Sequence, residues 1–476
     1  MRLILLITIV VLSLADCFSQ KPVGQEKLLE DFDYAVKELK LQHQGFYNYT
    51  SKEVTDSQIE ELRRTIDKPT TKLAFYQLIR RLVAVMNEGH GSVDLPKLDV
   101  LRIGLTRSFL PLTVKFLDGQ LIVTQNFGED VDGLSKGTRI ISVNGESMED
   151  IRQNLSPLIA TDGFNETSID EWLGSVNFSL LYRLVYGQKS NFVLQVEDYQ
   201  TKAIKKVTIS PVRFSAFKVK NAKYERFSPT YTKFALTQIN DSIAYLCVPD
   251  FGLGAIDYES FYKSSFQKID ALGIGHLIID IQANTGGEEG NENLLYSYLS
   301  HDRLRKYRKV TMLPIPFQKR KNYKSIQLDK WAQKDAIAER GEFTLYSDYY
   351  SELGYSLPDS SDVYHQKLYV LTSGLTFSGG AEFASMIRMS QRGILVGEET
   401  GGAYEGNVSS FNETIQLPNT RIRIDIPIVH FQINVSLEQI GRGVIPDAHV
   451  VQTWDDYMKQ RNAKLEYALN LIMNDG

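Results

Sequence analysis

Cysteine is almost absent. Only Cys17 and Cys247 occur in 476 residues, so no disulfide framework can organise the fold. Cys247 lies in the alternating apolar stretch IAYLCVPDF and reads as a buried strand residue, with a catalytic thiol the minor alternative. An excess of charge is missing too: 53 basic against 58 acidic residues leave a net charge of −5, which does not suit a nucleic-acid partner. Beyond the N-terminus no apolar run reaches about 18 residues, so no stable membrane span is expected. Histidine is scarce, at seven residues, and few bases are therefore available. Nothing gathers metal-ligand spacings, so neither a metal nor a cofactor is expected, and internal repeats and low-complexity segments are absent.

What is present begins with a leader. Met1-Arg2 supplies one positive charge, and Leu3 to Ala15 is an apolar run of signal-peptide length. Residues 1–20 are read as a signal peptide, and the mature protein as exported, periplasmic or extracellular. Leu14-Ala15-Asp16-Cys17 loosely imitates a lipobox, which leaves a lipid anchor at Cys17 open. The length implies about three units at roughly 150 residues each.

Residues 21–100 show helical spacing in LLEDFDYAVKELKLQH, DSQIEELRRTI and KLAFYQLIRRLVAVM, with Pro69 between the last two and Gly89 placed to end the third. Residues 101–215 switch to strand patterning. Asp118-Gly119 and Asn144-Gly145 supply tight turns there, and a small half-barrel domain fits. Residues 216–476 alternate strands (IAYLCVPDF, HLIIDIQA, KLYVLTS, GILVGEET) with helices (YESFYKSSFQKIDAL, FSGGAEFASMIRMSQ). That rhythm implies an α/β catalytic unit with a mostly parallel sheet, within a multi-domain α+β whole.

Three segments carry chemistry. Ser378 falls between a buried strand and a helix and is followed by two glycines. A strand-to-helix turn exposes a hydroxyl, and the helix start offers free N–H groups and partial positive charge, both useful to a nucleophile whose attack creates an oxyanion. Taken alone, Ser378 reads better as an N-cap with Glu382 in its first turn, and the neighbouring segments are what favour the nucleophile. The turn Asn284-Thr285-Gly286-Gly287 ends a parallel strand, where open α/β sheets place their sites. Gly286 or Gly287 could lend one oxyanion donor and Gly379 another. The following Glu288, Glu289 and Glu292 read as a solvated loop. His90, in MNEGHGSVDLP just past a helix, is the favoured base, with His430 in IPIVHFQINV the runner-up.

The order of a helical N-terminal region, LSKGTRIISVNGESMEDI, IIDIQANTGG, TFSGGAE, VGEETGG and GVIPD resembles the C-terminal processing (tail-specific) serine peptidases. It is closer to their branch around the tricorn core and the interphotoreceptor retinoid-binding protein repeats. The resemblance implies a ClpP/crotonase-like catalytic domain, an inserted PDZ-like domain that binds substrate chains by strand addition, and a polypeptide substrate. It also implies an acyl-enzyme route with Ser378 as nucleophile and His90 as base. The departures matter. The processing branch takes its base from a Lys in a Gly-Lys-Gly stretch after the VGEET-like strand; here that position is Ala403, and no Lys lies between Lys367 and Lys459. The family's acid before GVxPD is replaced by Ile440, leaving Glu438 or Glu399 as candidate orienters of the imidazole, with Ser92 and Glu88 as neighbours of unassigned role. Gln282 stands where relatives carry Arg. An exported serine endopeptidase and a catalytically degraded member that only binds peptide or small apolar ligands are the two expectations.

Overall fold

The computed structural model describes residues 21–217, 233–252, 254–302, 304–313, 337–339, 342–344, 362–436 and 440–474. The leader, Cys17 and Glu438 lie outside them. At the centre is a six-stranded sheet in the order Ala448–His449, Ile394–Gly397, Lys367–Thr372, His276–Asp280, Ile243–Cys247, Ala235–Gln238. The first five pair in parallel and the last closes the edge antiparallel. The strands are apolar on both sides because both sides are covered. Leu277 and Ile279 face the helices Tyr258–Ala271 and Gly379–Ser390, while Ile278, Tyr369 and Val396 pack on the C-terminal helix Ala463–Asn474 through Ala468 and Ile472. Each such buried aliphatic side chain contributes about 1.5–3 kcal/mol. This is the α/β layer expected from the alternation of strands and helices.

The N-terminal helices Gln25–Gln42, Lys52–Arg64 and Lys72–Ala84 form as their spacing requires. The Ser51 and Thr71 side chains accept from the backbone amides of Val54 and Ala74 to start the second and third. A further helix, Lys97–Leu105, was not anticipated. The core of this region is completed from far downstream: the hairpin Glu413–Gln416 and Arg423–Ile426 pairs with Ser92–Asp94 and packs Ile415, Leu417, Ile422, Ile424 and Ile426 against Leu28, Phe32, Ile79 and Leu82. The turn bearing His90 is thus tied on one side to a sheet whose other strands come from the last quarter of the chain.

Between them, the strands Leu112–Leu117, Gln120–Asn126, Arg139–Val143, Phe192–Glu197 and Ile204–Ile209 form an antiparallel sheet with the short strand Glu146–Ser147 beside it. The helices Met148–Leu155 and Val176–Tyr186 cover its apolar face. Asp118-Gly119 and Asn144-Gly145 turn with positive φ at both positions, which is why these dipeptides mark hairpins. Trp454 anchors this small domain to the C-terminal segment by donating its indole N–H to Gly137 O at 2.8 Å. A third antiparallel sheet has the order Ile337–Glu339, Glu342–Thr344, Tyr307–Met312, Val429–Ile433, Gly406–Ser409.

Candidate active site

The carboxyl ends of the parallel strands build the site. After His276–Asp280, the chain is held by Asp280, whose Oδ2 accepts from Tyr245 Oη (2.6 Å) and Gln282 Nε2 (2.9 Å). Buried Asn284 then grips three segments. Its Nδ2 donates to Val248 O (3.0 Å), its Oδ1 accepts from Gly286 N (2.8 Å), and its carbonyl accepts from Phe377 N (3.0 Å). After Lys367–Thr372, the turn is fixed by Ser373 Oγ on Gln282 O (2.7 Å) and Thr376 Oγ1 on Ile281 O (3.0 Å). These bonds press the two turns together so closely that a Cβ on Gly286 would stand 2.6 Å from Ser378 Cβ, and one on Gly380 2.4 Å from Asn284 O. Only glycine fits at either place.

Ser378 tops this turn at φ 52°, ψ −128°, a conformation non-glycine residues rarely adopt. It is half-buried and its side chain makes no capping bond. The N-cap alternative is therefore not how the hydroxyl is used in this structure. The helix Gly379–Ser390 begins immediately after it. Among the described residues, the amides of Gly379 and Gly287 donate to no protein acceptor, whereas the Gly286 amide is spent on Asn284. Gly286 is thus corrected from candidate donor to a close-packing residue, because its N–H already has an acceptor.

His90 reaches the same end of the sheet from the N-terminal region. Its ring stacks on Phe377, the residue before Ser378, with centroids 4.5 Å apart and planes at 27°. Gly89 allows the approach, since a Cβ there would meet Phe377 Cζ at 2.8 Å. Nδ1 lies 2.8 Å from Glu88 Oε1 and 3.7 Å from Asp162 Oδ1. The second oxygen of Glu88 accepts from Val408 N at 2.8 Å, so the carboxylate is pinned at both ends. Nε2 is buried with no partner, and no hydrogen bond joins it to Ser378. Burial opposes charge on the ring, but Asp162 and Glu88 outweigh it and push His90 up to about 10. Burial, then Asp162, push Glu88 upward against the pull of His90. The three donor sets lie within 4.8 Å of one another. Glu88 and His90 are turned towards each other in hydrogen-bond geometry, and Asp162 stands just beyond that reach.

The remaining expectations fall elsewhere. Glu399 is corrected as an orienter: its carboxylate is taken by Arg442 (2.9 and 2.6 Å) and Gly443 N (2.7 Å), which leaves nothing for the imidazole. Glu438 lies outside the described residues. Ser92 donates to Asp425 at 3.2 Å in the neighbouring sheet, and His430 sits on Val429–Ile433 near Asn48 and Gln432. The solvated-loop reading suits Glu288, which is exposed, but needs correcting for half-buried Glu289 and for Glu292. Glu292 is fully buried and pairs with buried Lys306 at 2.7 Å. Lys306 also pairs with Glu382, which accepts from Tyr307 Oη (2.7 Å) and Asn407 Nδ2 (3.2 Å). Burial disfavours the ammonium, yet Glu292, Glu382 and Glu289 together raise Lys306 above its ordinary value. Burial pushes Glu289 up to about 8, with Lys306 pulling the other way. A buried cation beneath the first turn of the Ser378 helix was not foreseen, and Asp162 was missed as well.

Residues 242–450 match the family profile described as peptidase family S41. The chain carries a peptidase family S41 domain. That match places these residues with the serine peptidases of the family. Mature CPAF complexed with lactacystin shares its fold with a TM-score of 0.63 at 14% identity, over 94% of this chain and 97% of that one. Mature CPAF by itself gives a TM-score of 0.60 at 14% identity, over 95% and 98%. At such identity the likeness speaks to architecture alone. No curated protein sequence matches the chain.

Proposed function

We propose that this S41 domain works as an exported endopeptidase that cleaves flexible or C-terminal polypeptide segments through an acyl-enzyme. The single observation that carries the reading is the His90 ring, clasped at Nδ1 by Glu88 and laid on Phe377 beside a strained, half-exposed Ser378 at a helix start. With Nδ1 committed to a carboxylate, Nε2 is the nitrogen left to take the Ser378 proton. Ser378 Oγ attacks the peptide carbonyl, the Gly379 and Gly287 amides receive the oxyanion, and the proton on Nε2 passes to the leaving amine. Water then repeats the sequence on the acyl ester. Glu88 takes the orienting role in place of the family's acid, keeping the tautomer and supporting the imidazolium.

Export rests on the leader, and delivery of the substrate chain on the PDZ-like stretch. Among the described residues no helix is long and apolar enough to cross a membrane. The test is labelling by a serine-directed phosphonate together with hydrolysis of an unstructured peptide, both expected to vanish in Ser378→Ala. Turnover that survives that substitution would end the assignment. The missing Ser378–His90 hydrogen bond favours a second reading, a chain that binds peptide without cutting it. Wild-type protein that binds extended peptides but resists the phosphonate would establish it.

A further inference from the structure

Asp162 belongs to neither the base turn nor the central sheet. It lies between the short helices Ser156–Leu158 and Thr167–Leu173 of the small domain, in a stretch fastened to both halves of the site. Gly163 N donates to Asn87 O (2.8 Å) and Phe164 N to Gly441 O (2.8 Å). Asn165 Nδ2 bonds Thr400 O (2.5 Å), and Thr167 Oγ1 bonds Glu399 O (3.0 Å). The Asp162 side chain is fully buried. Its Oδ1 accepts from Gly89 N at 2.8 Å, while Oδ2 has no partner. Among the described residues, no lysine or arginine pairs with it, and the one cationic group in ion-pair reach is His90, at 3.7 Å. A buried carboxylate with one satisfied oxygen needs a nearby positive charge to be tolerated.

We propose that Asp162 is a second positioning carboxylate for the His90 base, gripping the turn through the Gly89 amide and sharing Nδ1 with Glu88. The inference rests on His90 acting as base. The small domain then contributes directly to the reacting end of the molecule, and the ring is held between two acids where a Ser-His-Asp triad uses one. The other groups around the ring do not supply this role. His43 is buried, and burial with repulsion from His430 and His90 lowers it to about 3, so it stays neutral. Phe377 is apolar. Tyr49 interacts with Glu88 and Asp162, and Glu405 with Asp162, both from beyond the two carboxylates.

Two carboxylates have a functional consequence. They strengthen the imidazolium formed during catalysis, and they also hold a proton on the resting base, so that the neutral form is minor at neutral pH. Asp162→Asn tests this cleanly. Asparagine keeps an oxygen for Gly89 N and removes only the charge, and the amide group falls where Oδ2 now lacks a partner. The expected result is that the ascending limb of the kcat/KM–pH profile moves at least one unit towards neutrality, with KM changed less than threefold and the alkaline plateau lowered.

In parallel, the His90 imidazole resonances are titrated by NMR in a Ser378→Ala background, with and without Asp162→Asn. This readout needs no turnover, and a downward shift of at least one unit is expected there too. An unmoved NMR titration overturns the role of Asp162 whatever happens to activity. A shifted NMR titration with no peptidase activity in the parent protein leaves the charge coupling standing and removes the hydrolase reading instead. Asp162→Ala gives a structural control: if it and Asp162→Asn lower kcat equally with no change in pH profile, the side chain serves folding alone and the proposal fails.

Discussion

Replacing Ser378 by glycine and by alanine separates what the residue does for chemistry from what it costs the fold. Its φ of 52° with ψ of −128° lies where a Cβ is crowded, a conformation worth about 1–3 kcal/mol of strain. The crowding is visible: the Gly286 backbone lies so near that a Cβ on it would collide with Ser378 Cβ at 2.6 Å. Alanine keeps the Cβ and hence the strain. Glycine releases it, at a loss of about 0.5–1 kcal/mol in chain entropy. Ser378→Gly should therefore be more stable than Ser378→Ala by about 1 kcal/mol, a rise of roughly 2–4 °C in the melting temperature of a domain of this size. Neither variant should hydrolyse peptide. Scanning calorimetry of the three proteins, beside a peptidase assay, makes the comparison. Alanine and glycine variants of equal stability, or a glycine variant below the alanine one, would refute the idea that the fold stores strain at this hydroxyl.

Gly286→Ala adds a methyl 2.7 Å from Gly379 N at a φ of 85°. Peptide hydrolysis should fall about 100-fold through displacement of Ser378, and urea unfolding should show a loss of about 1–3 kcal/mol. Lys306→Met strands Glu292 and Glu382 as uncompensated buried carboxylates, and chemical denaturation should report a loss of about 3–5 kcal/mol. Glu88→Gln retains an acceptor but not its charge; kcat/KM should drop roughly 10²–10⁴-fold with little change in KM. For the wild type, kcat/KM should climb through the alkaline range towards about 10, because His90 must lose its proton to act as base. The stabilisation from its raised proton affinity is complete below the ordinary histidine value and is lost as pH passes about 10, so melting temperature should decline over the same interval. A pH–rate profile that is flat from 7 to 10 would contradict both.

Much of this was legible in the chain itself. The parallel strands and their helices follow from apolar runs of strand length alternating with 3.6-residue periodicity. The turns at Asp118-Gly119 and Asn144-Gly145 follow from the φ values those residues tolerate. Ser378, Gly379 and the Asn284–Gly287 turn could be named because the strand-to-helix turn, its glycines and the hydroxyl all lie within a few residues of each other. Such features are local, and local sequence determines them.

The orienting acid, by contrast, depended on which carboxylates the fold drives out of water around one ring. Glu399 looked suitable by its motif, yet Arg442, two residues past Ile440, neutralises it. Asp162 carried no signal at all, since nothing near it in the chain speaks of His90. Lys306 looked like an ordinary lysine until Glu292 and Glu382 closed on it. Sequence alone determined the scaffold and the candidate nucleophile; only tertiary structure decided the electrostatics. The reason is physical: backbone conformation is set by neighbours along the chain, whereas a buried charge must be balanced by whatever groups long-range packing brings within a few ångströms.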